Sequence, residues 1–126
     1  MAAMRRSRRL NGRTRAAELP LVSLVTVRGP SMVPALHHGD RLLARRIRSG
    51  EPVREGAVVL VTWADHPDLL AVKRVIRTLP GGHWVEGDNL CGSDDSRSYG
   101  PARILAVVMA RCWPWPPRIS LPCAGD

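Results

Sequence analysis

The chain has 126 residues, enough for one domain with its own hydrophobic core but too few for two. Hydrophobic residues make up 44% of the chain, which excludes wholesale disorder. The net charge of +8 resembles that of a nucleic-acid-binding protein, but six arginines between positions 5 and 15 supply most of it. We therefore predict a basic, disordered tail over residues 1–18, no specific nucleic-acid binding, and at most weak membrane-surface contact through residues 5–15.

Short apolar stretches separated by Gly and Pro predict many strands and few short helices. The predicted strands, in chain order, cover residues 21–27, 40–46, 57–63, 69–79, 83–86 and 104–113. A single helical turn is predicted over 31–36, a hairpin turn over 80–82, and polar loops over 64–68 and 87–101. We expect a mainly β domain over residues 19–113 with a small barrel or sandwich-like core, followed by a proline-rich tail over 114–126.

The cysteines and the hydropathy pattern bear on the cellular compartment. No stretch reaches the roughly 18 apolar residues of a membrane-spanning helix, and no apolar signal-peptide region follows the basic N-terminus. The three cysteines, Cys91, Cys112 and Cys123, are odd in number and lack metal-ligand spacing, and their role stays open. These features predict a soluble protein of the reducing cytoplasm.

Lys73 is the only lysine among the nineteen Lys and Arg residues, and it lies mid-strand in a segment that is apolar apart from Lys73 itself and Arg74. Alternation along the strand places Lys73 on one face with Leu69 and Ala71, and Arg74 on the other face, where it suits a structural ion pair. A desolvated lysine loses its proton near neutral pH and then serves as a general base, which arginine cannot do. By position alone, Lys73 is more typical of a structural lysine, for example an edge-strand lysine that deters aggregation.

Ser31 directly follows a predicted strand, in a Gly29-Pro30 turn where a substrate can reach its hydroxyl. Gly29 allows another backbone to come close, and the Ser31 amide can donate to an oxyanion. Considered alone, a serine at this position more often caps a short helical turn.

Residues 87–97 read GDNLCGSDDSR, and their Asp, Asn and Ser side chains can shape a long loop by bonding to local backbone. Asp95 and Arg97 can form a fixed pair that orients Ser93, whose hydroxyl can then hold Lys73. In isolation, the segment is more typical of an ordinary polar surface loop.

A serine nucleophile needs an adjacent base, and a neutral lysine is one solution. The ordered motifs SMxP, KRV and GDN…SxDSR resemble the signal peptidase I family of Ser-Lys endopeptidases over about residues 27–113. The resemblance implies a signal-peptidase-like β core with a nucleophile, a general base, a lysine-orienting serine and a structural Asp–Arg pair. In that order, these positions are Ser31, Lys73, Ser93, Asp95 and Arg97.

The chain departs from the family pattern in four ways. Ala35 replaces a threonine, Gly29 replaces a serine that some members use for the oxyanion, and neither a membrane anchor nor a large second β-domain is expected. With the RVI, YGP and CWP stretches, this makes the chain most similar to the nickel-type superoxide dismutase maturation proteases. The resemblance implies cleavage of an N-terminal propeptide from a protein precursor bound as an extended peptide. Oxyanion and substrate contacts are assigned to Gly29, Ser31 and Met32.

Three alternatives stay open. The first is signal peptidase I-type processing of secreted precursors. The second is the autoproteolytic domain of SOS-type repressors, although residues 1–20 are too few for a helix-turn-helix. The third is a non-enzymatic β-module whose basic tail binds nucleic acid or membrane. Because His37 and His38 lack further ligands at suitable spacing, no metal and no cofactor are predicted.

Overall fold

The described part of the chain is a single antiparallel sheet with one short helix. The computed structural model describes residues 19–48, 50–89, 91 and 94–119. In chain order, its elements are β1 (Val22–Thr26), β2 (Arg41–Arg46), β3 (Val58–Trp63), β4 (His66–Leu79), β5 (Gly82–Glu86), α1 (Ser96–Tyr99) and β6 (Arg103–Trp113). The sheet order is β1-β2-β6-β3-β4-β5. The mainly β prediction with few short helices is confirmed. The predicted tail over 1–18 and the end of the proline-rich tail, 120–126, lie outside the described residues.

Strand β3 organises the core because all six of its residues are buried. Val58 and Leu60 belong to one hydrophobic cluster, whereas the alternating Val59 and Val61 belong to a second cluster. A continuous run of β-branched and apolar residues suits a strand with both faces covered. Strand β4 pairs with β3 so that Val59 lies opposite Lys73, which brings the lysine to the face of the second cluster.

The predicted polar loop over 64–68 is wrong at its second half, because β4 begins at His66. Trp63 pairs with His66 across a two-residue turn, and the Thr62 hydroxyl donates to the Leu69 carbonyl at 2.8 Å. Pro67 is tolerated there because β5 pairs only with the later part of β4, from Arg74 onwards. The exposed residues at this end of the hairpin are polar, so their sequence is typical of a loop and does not predict the start of the strand.

The predicted loop over 87–101 contains helix α1, which the sequence analysis did not anticipate. The Asp95 carboxylate caps the helix by accepting the Arg97 backbone N–H at 3.1 Å. Gly100 ends it with a positive φ of 81°, a conformation that favours glycine. Asp95 therefore caps helix α1 in addition to forming the predicted ion pair with Arg97.

The chain after β6 turns back on that strand. Arg111 and Arg118 exchange two backbone hydrogen bonds of 2.8 and 2.9 Å. Part of the predicted tail is thus fastened to the sheet, and the domain limit at residue 113 stays a prediction.

Candidate active site

Lys73 is buried in strand β4, with 3% of its surface exposed. Burial penalises the charged ammonium and lowers the pKa of Lys73, and the nearby positive charge of Arg97 acts in the same direction. The carboxylates of Asp95 and Asp94 oppose this shift without cancelling it. A lysine with a lowered pKa is more often neutral, which is the form that a general base requires.

Ser31 opens the turn between β1 and β2. The Val33 N–H donates to the Pro30 carbonyl at 3.0 Å, and the Leu36 N–H donates to the Met32 carbonyl at 2.9 Å. The segment is a hydrogen-bonded turn and not the predicted helical turn, because its Val33–Pro34 peptide bond is cis. The side chains of Met32 and Leu36 are both buried in the core and anchor the turn from below. Since the Met32 side chain is only 1% exposed, a contact between Met32 and substrate would have to use its main chain.

Gly29 lies two residues before Ser31 and is held by a histidine. Its N–H donates to His38 Nδ1 at 2.9 Å, and its φ of 80° is in the region that favours glycine. The backbone donor that Gly29 could offer to an oxyanion is thus engaged by His38. This contact could not be predicted from the sequence, because a nine-residue separation follows neither helix nor strand periodicity.

The residue next to Lys73 forms a buried ion pair on the opposite face of β4. Arg74 Nε and Nη2 donate to the two carboxylate oxygens of Asp88 at 2.9 and 2.8 Å, and Nη1 donates to the Gly56 carbonyl at 2.8 Å. The two side chains are only 4% and 7% exposed. The structural ion pair predicted for Arg74 is confirmed, and its two-pronged geometry fixes the strand that carries Lys73.

The three-residue segment Gly87–Asn89, directly after β5, binds three parts of the site. Its middle residue holds β4 through the ion pair described above. The Gly87 N–H donates to Asp95 Oδ2 at 2.8 Å, and the Asn89 N–H donates to the Ser31 carbonyl at 2.9 Å. The segment therefore fixes the serine turn, the lysine strand and the Asp95 carboxylate relative to one another.

Asp95 is fully buried and receives hydrogen bonds from Arg97 Nε and Nη2 at 3.0 and 2.7 Å. Burial raises the pKa of Asp95, but hydrogen bonds from the Arg97 side chain and from the Gly87 and Arg97 N–H groups outweigh it and hold this pKa below its usual value. Asp95 consequently stays ionised and acts on Lys73 as a fixed negative charge. Ser93 lies outside the described residues, so its assignment to orienting the lysine stays a prediction.

Within the described ranges, no three His, Cys, Asp or Glu side chains come together as metal ligands. His37 and His38 are both exposed on the surface of the turn.

None of the helices that the structure describes is long and apolar enough to cross a membrane.

A family model and several individual relatives all match this chain to proteases. The model of the family described as "Signal peptidase, peptidase S26" matches residues 16–83. The chain is 34% identical over 115 residues to mitochondrial inner membrane protease subunit 1 of Xenopus tropicalis, covering 72% of this chain and 69% of that protein. Subunit 1 from Schizosaccharomyces pombe is 36% identical, with coverages of 70% and 71%. Subunit 2 from the same yeast is 32% identical, with coverages of 78% and 68%.

These matches define the protein as a peptidase, a hydrolase of peptide bonds. The chain belongs to the signal peptidase family, and this membership supports a serine-type mechanism.

The cytoplasmic prediction is wrong, because these relatives are subunits of a mitochondrial inner membrane protease. That prediction relied on a cysteine count and on the absence of a long apolar stretch, neither of which reports where a protein works. The same relatives also give no support to the narrower assignment among superoxide dismutase maturation proteases.

Proposed function

We propose that the chain is a serine endopeptidase in which neutral Lys73 takes the proton from the Ser31 hydroxyl. The Ser31 oxygen then attacks the scissile carbonyl carbon, and the carbonyl oxygen becomes an oxyanion held by the Ser31 N–H. The protonated lysine returns its proton to the leaving amine, which gives an acyl-enzyme, and neutral Lys73 then activates water to release the acid. The observation that carries this proposal is the 3% exposure of Lys73, whose pKa burial lowers.

The substrate is a precursor protein whose segment near the cleavage site binds in an extended form. Strand β1 is at one end of the sheet order, and among the described strands only β2 pairs with it. Its second edge can therefore accept a peptide as an added strand, immediately upstream of Ser31. This arrangement brings the bound backbone to the serine turn without any change in the sheet.

The relatives favour the signal peptidase-type alternative over superoxide dismutase maturation. They are named as subunits of a membrane protease, so we place this chain among enzymes that process precursors at a membrane. Their names also favour a second protease subunit as a partner. Extended-peptide binding and the Ser-Lys chemistry are the same under both alternatives, so the substrate alone decides between them.

The test is cleavage of two purified precursors, one with an N-terminal signal segment and one of nickel-type superoxide dismutase, with each new N-terminus read by mass spectrometry. We expect wild type to cleave the first, and Ser31→Ala and Lys73→Ala to cleave neither. Thr78→Ala, which removes an exposed hydroxyl from the same strand as Lys73, is the matched control and should remain active. Cleavage that survives Lys73→Ala would exclude the dyad, and cleavage of the dismutase precursor alone would restore the maturation assignment.

A further inference from the structure

We propose that Asn89 is a positioning residue for the oxyanion, because its side-chain amide fixes the direction of the Ser31 N–H. The inference rests on the proposed function, in which Ser31 is the nucleophile and its N–H stabilises the oxyanion. It assigns a task in the reaction to a residue that acts through the peptide unit before the nucleophile.

The peptide unit between Pro30 and Ser31 is held by its carbonyl oxygen. This oxygen accepts two hydrogen bonds, from the Val33 N–H at 3.0 Å and from Asn89 Nδ2 at 3.0 Å. The peptide bond is trans, so its C=O and N–H point in opposite directions within one plane. Groups that fix the Pro30 carbonyl therefore also fix the direction of the Ser31 N–H.

Asn89 is itself fixed on both sides of this contact. Its N–H donates to the Ser31 carbonyl at 2.9 Å, and its Oδ1 accepts the Cys91 N–H at 3.0 Å. A backbone N–H can only donate, so the oxygen of the side-chain amide must face Cys91 and the nitrogen must face Pro30. A single residue thus binds the carbonyl groups before and after the N–H of the nucleophile.

The two residues before Ser31 offer no backbone donor to an oxyanion. The N–H of Gly29 donates to His38, and Pro30 has no N–H to offer. A backbone donor from residues 29–31 must therefore come from Ser31 itself.

Binding of the carbonyl also strengthens the donor. Hydrogen bonds to the C=O of a peptide unit polarise the unit and make its N–H more positive. This matters most when negative charge develops on the substrate oxygen, so the benefit falls on the transition state rather than on substrate binding. We therefore expect loss of the Asn89 amide to lower kcat and to leave KM almost unchanged.

Two substitutions separate the donor from the acceptor of Asn89. Asn89→Ala removes both, whereas Asn89→Asp keeps an oxygen for the Cys91 N–H and removes the donor to Pro30. For both variants we expect kcat on the signal-segment precursor to fall about 10–100-fold, with KM within about twofold of wild type. If Asn89 only tethered the loop through Cys91, kcat of Asn89→Asp would be nearly the same as that of wild type.

The pH profile and NMR distinguish positioning from other roles. Asn89→Ala adds no charge, so the midpoint of its kcat–pH profile should match that of wild type. The amide-proton resonance of Ser31 in ¹⁵N-labelled protein should move upfield in Asn89→Ala. The isosteric Asn89→Asp should show the same upfield shift and serves as the second variant if Asn89→Ala does not fold. Thr78→Ala should change neither kcat nor this resonance.

The outcomes that overturn the inference differ from those that overturn the proposed function. A kcat within about twofold of wild type in both variants, while Ser31→Ala is inactive, overturns the positioning role alone. An unmoved Ser31 resonance overturns the structural claim, whatever the activity. A wild type that cleaves no precursor overturns the proposed function and the catalytic part of the inference together.

Discussion

Replacing Lys73 with methionine should abolish cleavage and, at neutral pH, stabilise the fold. Lys73 is 3% exposed on the face of β4 that carries the second hydrophobic cluster, and methionine has a similar length without a charge. The variant removes the general base and the desolvation penalty together. Activity and stability should therefore change in opposite directions.

The magnitude follows from the balance of charges around the amine. Exchanging buried ionic groups for apolar ones is neutral or stabilising by up to about 4 kcal/mol. Here the attraction of Asp95 and Asp94 offsets part of the burial penalty, which places the gain at the low end, about 1 kcal/mol. Asp95 keeps its two hydrogen bonds from the Arg97 side chain and one from the Arg97 N–H, so the substitution leaves no uncompensated carboxylate.

The gain should depend on pH with a definite sign. The pKa of Lys73 is lowered from its ordinary value of 10.5 in the folded protein. Between the lowered value and 10.5, the unfolded chain binds a proton that the folded chain has released, so wild-type stability rises with pH across this window. The advantage of Lys73→Met is then largest below the folded-state pKa and fades as the pH approaches 10.5.

The assay is urea unfolding of wild type and Lys73→Met, followed by tryptophan fluorescence, at neutral pH and near pH 10.5. Because Lys73 is the only lysine in the chain, no other lysine contributes to the difference between the two proteins. A variant less stable than wild type at neutral pH, or a difference that is constant with pH, would refute the reasoning.

Two further predictions concern a tight turn and the charges near the lysine. Gly82→Ala should lower the free energy of unfolding by about 2 kcal/mol, because the new Cβ would lie 2.7 Å from a backbone carbonyl oxygen at a φ of 153°. Gly81→Ala, with no atom within 4 Å of its Cβ, is the urea-unfolding control, and an equal loss in both would contradict the steric argument. Asp94→Asn should shift the rise of kcat/KM with pH to lower pH, and Arg97→Gln should shift it to higher pH, because the two charges act on the pKa of Lys73 in opposite directions. Shifts of the same sign would contradict this electrostatic account.

Much of the fold was predictable because most strands have a distinct pattern. The apolar run at β3 predicts a strand buried on both faces, and the glycines after Pro80 predict the hairpin into β5. The start of β4 at His66 was missed because its first residues are exposed and include a proline. Helix α1 was missed because it is one turn long and its capping Asp95 had already been interpreted as an ion-pair partner.

The site was predictable only where the information is local in sequence. The burial of Lys73 and the ion pair of Arg74 follow from strand alternation beside apolar neighbours. The contacts of His38 with Gly29 and of Asn89 with the serine turn join residues 9 and 59 positions apart, and no periodic pattern encodes them. Such contacts depend on how the sheet closes, which a one-dimensional pattern does not contain.

The Gly87–Asn89 segment joins parts of the site that lie far apart in the sequence. The contacts run to residues 30 and 31 on one side and to residues 74 and 95 on the other, so they form only after β1, β4 and β5 have all assembled. A partly folded chain contains the serine and the lysine but holds them in no fixed relation. We therefore expect the proposed Ser31–Lys73 chemistry to need the fully assembled fold, so that incompletely folded or damaged copies of the chain do not cleave substrate.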